Sequence, residues 1–136
     1  MNLKNYEVIN TTNAIKEIIK VPNISTSVKW SFIKNLKKLQ SIFDDFSKME
    51  IDLVKKYALK DENGEIVFYE EDEGMFKKGD PKFPPGNYSK FKKERDELLQ
   101  CDNEFTPHLI KLDNLPDDIL DGTLLLICSF LIDDTN

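Results

Sequence analysis

Apolar residues recur between positions 25 and 57 at Val28, Phe32, Leu36, Leu39, Phe43, Phe46, Leu53 and Tyr57, in steps of three, four or seven. That spacing sets one residue per turn on a single stripe and predicts one long amphipathic helix ending around Leu59. At ~1.5 Å per residue the helix is roughly 45–50 Å long, so other segments must lie along it to cover its stripe. Ser25, Thr26 and Ser27 each offer an oxygen to the first orphan backbone N–H groups. Upstream, Tyr6, Ile9, Ile15, Ile18 and Ile19 predict a helix from Asn5 to Lys20, weakened by the poor helix formers Asn10 to Asn13. Pro22 stops it, because it lacks an N–H and drives the preceding residue out of the helical region. The connection to the long helix is short, which favours an antiparallel pair.

Beyond Leu59 the pattern changes. Asn63-Gly64 suits a type I′ turn, since both residues tolerate positive φ, and Ile66 to Tyr69 is β-branched and aromatic. A hairpin is expected there, with a shorter partner strand before Asn63. Glu70-Glu71-Asp72-Glu73 follows, then three glycines and three prolines within residues 74–86, a composition that excludes regular structure and predicts a long loop. Met75, Phe76 and Phe83 stand out in it, either folded back on the body or presented to a partner. Tyr88, Phe91, Arg95, Leu98 and Leu99 then share a helical face, with Asn87 placed to cap it. Residues 104–112 predict a strand, with Pro107 at its start or on an edge. Pro116, Asp117 and Asp118 mark a helix start. Thr123 to Ile132 is apolar nearly all round, and its leucines favour a buried helix.

The expected fold class is therefore α+β: an antiparallel helical pair built on one long helix, a small β-hairpin or sheet, and C-terminal helices. A length of 136 residues fits a single domain 1–136, with a helical region 1–60, hairpin and loop 61–87, and helix-strand-helix 88–136. The chain turns polar soon after Met1 and no stretch reaches the ~18–20 apolar residues of a membrane span. That predicts a cytoplasmic protein with no membrane partner. Cys101 and Cys128 lie far apart with no histidine at ligand spacing, which points to reduced structural thiols and no metal. Glu70 to Glu73 lack the alternating ligands and glycine of a calcium loop.

Net charge is −6, but residues 1–60 hold eleven lysines against six acids (+5), whereas residues 61–136 hold eight basic residues against nineteen acids (−11). Either the halves pack with complementary surfaces, or an acidic face engages a basic partner. Lys34, Lys37, Lys38, Lys48, Lys55 and Lys56 share the outer face of the long helix with Trp30. Asp44, Asp45 and Asp52 interrupt them at salt-bridge spacing with Lys48 and Lys56, and the only arginine, Arg95, lies elsewhere. This is the composition of a solvated helix face, which argues against direct nucleic-acid binding; Trp30 remains a candidate protein contact.

The start LKNYEVINTTNAIKEI, the helix KNLKKLQSIFDDFSKMEIDLVKKY, the turn KDENG and the tail HLIKLDNLPDDI together resemble a family of small phage and prophage proteins of Gram-positive bacteria whose function is unknown. The chain differs from that family in its longer Phe/Pro-rich loop and its Leu-rich terminal run. The resemblance implies a phage-encoded, intracellular α+β protein that works by binding. It supplies no catalytic residues.

An enzyme needs convergent acids, bases or nucleophiles. His108, the sole histidine, has no acid or nucleophile at diagnostic spacing, and no phosphate loop, serine elbow or paired-cysteine site occurs. The sequence therefore predicts a non-enzymatic protein without cofactor or metal. Its candidate partner-binding residues are Glu70, Glu71, Asp72, Glu73, Met75, Phe76, Phe83 and Trp30. Two functions compete: an anti-defence inhibitor, such as an anti-CRISPR, that sets carboxylates against a host nuclease or nucleic-acid-binding protein, and a phage structural or assembly-chaperone protein acting as a homo-oligomer.

Overall fold

A computed structural model describes residues 1–111, 115 and 129–133. Strand β1 (Asn2–Lys4) leads into helix α1 (Asn5–Ile18), then α2 (Thr26–Tyr57), α3 (Asn87–Leu99), β2 (Asp102–Glu104) and β3 (Ile110–Lys111). A 3-10 turn at Ser129–Leu131 and strand β4 (Ile132–Asp133) complete the described elements. The fold is α+β, with the long helix packing against the others. It divides into two compact units, one of Met1–Asp45 with Gln100–Asn136, the other of Phe46–Leu99. Among the described residues no helix is long and apolar enough to cross a membrane.

In the first unit α1 and the N-terminal half of α2 enclose one core. Val8, Ala14, Ile15 and Ile18 meet Val28, Phe32 and Leu39, with Leu3, Phe105, Ile110 and Leu131 closing the cluster. The α1 stripe differs from its prediction: Tyr6 is exposed, while Thr11 and Thr12 are fully buried. Burial of this face outweighs the modest helix propensity of the threonines. The Glu7 carboxylate reaches back to accept from the Lys4 N–H at 3.1 Å, fixing the start of α1. Ser25 caps α2 as predicted, its Oγ accepting from the Val28 N–H at 3.3 Å.

Two minimal sheets belong to the same unit. β1 pairs antiparallel with β2 in the register Asn2 to Glu104, Leu3 to Asn103 and Lys4 to Asp102. β3 pairs in parallel with β4 through Ile110 and Ile132. The single strand expected over residues 104–112 is thus two short strands, separated by a stretch containing Pro107, which has no N–H for a ladder. The helix expected over residues 123–132 is corrected at its described end, which is a 3-10 turn running into a strand. Leu131 is buried and Phe130 meets the Phe105 ring edge-on at 6.1 Å, so that end does enter the core. The expected helix start at Pro116 and the cysteine Cys128 lie outside the described residues.

The second unit joins the C-terminal half of α2 to α3 through an arm built on single antiparallel bridges, Lys60 with Ile66 and Phe68 with Pro81. Backbone bonds run from Val67 N–H to the Leu59 carbonyl (2.9 Å) and from Lys82 N–H to the Val67 carbonyl (2.8 Å). The turn is not type I′. Gly64 has φ +78° but Asn63 has negative φ, and the Gly64 N–H donates to the Asp61 carbonyl at 3.1 Å. This is a type I turn closed by a left-handed glycine. The Asp61 carboxylate selects it by accepting from the N–H groups of Asn63 (2.8 Å) and Glu65 (3.0 Å).

Candidate functional site

The acidic run and the loop after it lie in the second unit, on a segment with defined backbone bonding. Tyr69 N–H donates to the Asp80 carbonyl (2.8 Å) and Gly79 N–H to the Tyr69 carbonyl (2.9 Å). Inside that bracket Glu73 and Phe76 exchange both backbone bonds, at 2.7 and 3.0 Å. Gly74 at φ +61° lets the chain reverse between them. Two aspartate side chains tie the turn: Asp72 Oδ1 accepts from the Lys78 N–H and Asp80 Oδ2 from the Lys77 N–H, both at 2.9 Å. Glu70, Glu71, Asp72 and Glu73 are all exposed. With Tyr69 and Lys82 they border a depression of about 280 Å³. The Lys82 ammonium lies 5.1 Å from the Tyr69 ring centroid, so one cation stands among these carboxylates.

Met75, at 72% exposure, is the most open of the large apolar residues here. Phe76 and Phe83 are half-buried, each packed on the protein's own rings. Phe76 stacks on Tyr69 at 5.0 Å and meets the edge of Tyr88 at 5.2 Å. Phe83 stacks on Phe91 at 4.9 Å and tilts against Tyr88 at 5.5 Å. Tyr88 and Phe91 come from the predicted inner face of α3, so the composition of residues 74–86, which excludes a helix or strand, still permits an aromatic core. Beside that core runs a groove of about 300 Å³ to which Val54, Met75, Pro81 and Phe83 contribute.

Charged pairs anchor α3 to the C-terminal half of α2. Arg95 Nε donates to Glu50 Oε2 at 2.7 Å, and Lys56 Nζ lies 3.3 Å from Glu94 Oε1. Lys56 is thus held by Glu94, and the pairing with Asp52 expected from helical spacing is replaced by one between helices. The Tyr57 hydroxyl, then Glu94, raises the Lys56 pKa above the ordinary lysine value. The same hydroxyl, followed by Lys56, lowers the Glu94 pKa below the ordinary carboxylate value against the opposing effect of desolvation. Asn87 does not cap α3 with its side chain. Its Nδ2 donates to the Tyr57 carbonyl at 3.1 Å, satisfying an orphan acceptor at the end of α2.

Trp30 belongs to the first unit, so the structure does not group it with the other candidates. It is 53% exposed, with Lys34 Nζ 5.7 Å from its ring centroid. His108 acts through its backbone. Asn35, fully buried on α2, donates from Nδ2 to the His108 carbonyl and accepts at Oδ1 from the His108 N–H, both at 2.8 Å. Sequence reasoning missed this clamp because a polar residue between apolar ones carries no sign of a partner 73 residues away. Among the described residues no group of three or more histidines, cysteines or acids is placed to hold a metal ion. Comparison of the chain with protein families, curated proteins and solved structures finds no match.

Proposed function

We propose that this is a phage-encoded, non-enzymatic binding protein, an anti-defence inhibitor of the anti-CRISPR kind that engages a basic surface of a host nucleic-acid-handling protein through Glu70 to Glu73. The observation that carries the reading is the presentation of these carboxylates: all four are exposed, on a turn whose backbone is bonded on both sides. A run held this way gives charge for steering a basic partner, and Met75 beside it gives apolar area for affinity. The phage origin rests on the resemblance in the sequence.

A second reading, phage assembly through self-association, is favoured by a different observation. Trp30, Met49 and Ile51 are large apolar residues on α2 that stand more than half exposed. The two readings differ in their response to salt, since exposed charges are screened within ~8–10 Å at physiological ionic strength and apolar contacts are not. The test is a pull-down from bacterial host lysate at low and high salt, wild type beside a variant with Glu70, Glu71, Asp72 and Glu73 replaced by Ser. The inhibitor reading expects one nuclease or nucleic-acid-binding protein, lost in the variant and at high salt. Recovery of phage structural proteins or of the protein itself, indifferent to both changes, overturns it and favours assembly.

A further inference from the structure

The groove beside the aromatic core mixes rings with charge, and its charges do not cancel. Its lining sets two carboxylates, Glu50 and Asp80, against one guanidinium, Arg95. Glu50 takes Arg95 at 2.7 Å, so those two are neutral as a pair. Asp80 is left over. It is half-buried, and among the described residues no lysine, arginine or histidine forms an ion pair with it. Its Oδ2 accepts from the Lys77 N–H at 2.9 Å, while Oδ1 has no partner among the described residues. Lys77 and Lys78 follow Phe76 in the chain but neither lines the groove, and Lys82 lies over the Tyr69 ring. A half-buried carboxylate without a counter-charge favours a cation, because little water screens it.

The rest of the wall suits the same kind of group. Phe76, Phe83, Tyr88 and Phe91 line the groove and none of them is fully buried. Phe76 stacks on Tyr69 and Phe83 on Phe91, which uses one face of each ring and leaves the exposed remainder to a ligand. Cations are drawn to such rings. The chain does this with its own lysines: Lys82 lies 5.1 Å from the Tyr69 centroid in the depression bordered by Glu70 to Glu73, and Lys56 lies 5.0 Å from the Tyr57 centroid while held by Glu94. The groove brings ring and carboxylate together in the same way. A guanidinium fits it better than an ammonium, since it stacks on a ring, donates in its own plane to a carboxylate and sheds water more easily. The methylene stem behind it can cover Val54 and Pro81. A volume of about 300 Å³ is at the lower edge of the ~300–1,000 Å³ of small-molecule sites, which suits one side chain. Asp80 also stands across from the acidic run, because its carbonyl accepts from the N–H of Tyr69, the residue before Glu70, at 2.8 Å. We infer that the groove binds the guanidinium of an arginine side chain, held by Asp80 and stacked on the aromatic wall. The inference rests on the proposed binding of a basic protein partner and names the residue which that partner inserts.

The experiment titrates the full chain, isotopically labelled, with single amino acids blocked at both ends so that only the side chain carries charge: arginine, its neutral isostere citrulline, lysine and glutamate. Arginine is expected to shift the NMR signals of Val54, Phe83 and Phe91 and to bind about tenfold more tightly than citrulline, the fold-change of a cation held between a ring and a carboxylate. Asp80→Asn keeps an oxygen for the Lys77 N–H and should bring arginine down to the level of citrulline. Unchanged arginine binding in that variant overturns the inference, and so does equal binding of arginine and citrulline to wild type, a comparison that decides the matter if Asp80→Asn does not fold. Tighter binding of lysine than of arginine overturns the guanidinium, and tighter binding of glutamate assigns the groove to an anion at Arg95 and overturns the site. Charge-dependent shifts confined to residues 70–73 overturn the site while leaving the acidic-surface reading intact. Absence of any shift with arginine or lysine, at the groove or at residues 70–73, overturns both.

Discussion

Asn35 and Thr12 are both buried polar residues on helices, and their removal should have opposite effects. The Asn35 amide is used on both sides, taking the His108 backbone in two 2.8 Å bonds and adding a 3.1 Å bond to the Ser31 carbonyl. Asn35→Ala removes donor and acceptor together and leaves backbone groups unpaired, so a loss of about 1–3 kcal/mol is expected in urea denaturation. Asn35→Asp, which keeps the acceptor but buries a charge facing a carbonyl, should do no better. Thr12 Oγ1 is buried with no hydrogen-bond partner among the described residues. Thr12→Val removes an unsatisfied hydroxyl at nearly constant shape and should stabilise by about 0.5–2 kcal/mol in the same assay. A raised midpoint for Asn35→Ala or a lowered one for Thr12→Val would contradict the geometry. Neither role is legible locally, since an isolated Asn or Thr in a periodic pattern reads the same whether it faces water or a distant backbone.

At the scale of elements, legibility follows the range of the interactions that make them. α2 is visible in the sequence because its apolar period and the Ser25 cap are local, and Ser25→Ala should cost about 0.5–2 kcal/mol in thermal unfolding. The sheets are not, because β1 is three residues long and its partner β2 begins 98 residues beyond β1's end, so no alternation can accumulate. The Asn63-Gly64 pair correctly marks a reversal but not its type, because the deciding group, the Asp61 carboxylate, lies outside the dipeptide. The inner face of α3 is legible from its period, whereas helical spacing alone assigns Lys56 a partner within α2 and misses Glu94 across the pair. The interhelical pairs carry a pH signature. The lowered Glu94 pKa gives a contribution present above the ordinary carboxylate value and lost as pH falls through the depressed one. The raised Lys56 pKa gives one present below the ordinary lysine value and lost as pH rises through the elevated one. Wild type should therefore melt slightly above Glu94→Gln between those limits, with the gap closing toward both extremes and in high salt, because the pair is exposed.

Across the whole molecule the charge asymmetry of the sequence is redistributed. By sequence halves it is +5 and −11, but the fold groups residues 1–45 with residues 100–136. The first unit then carries eight basic and twelve acidic residues (−4), and the second eleven and thirteen (−2). Much of the segregation that suggested one acidic face is thereby a consequence of chain order, and the case for a basic partner narrows to the local run Glu70 to Glu73. That narrowing sharpens its test, because residues that serve stability and residues held for a partner respond differently to removal. Asp72 has a structural duty through the Lys78 N–H, so Asp72→Ser should lower stability by about 1 kcal/mol. Glu70, Glu71 and Glu73 stand exposed beside one another and repel. Replacing those three by Ser should leave the urea midpoint within about 0.5 kcal/mol, or raise it at low salt with the gain vanishing as the repulsion is screened. A loss above about 1 kcal/mol would mean that the glutamates pack against the protein's own lysines, which would leave no unengaged acidic surface for a partner and remove the ground for the proposed function.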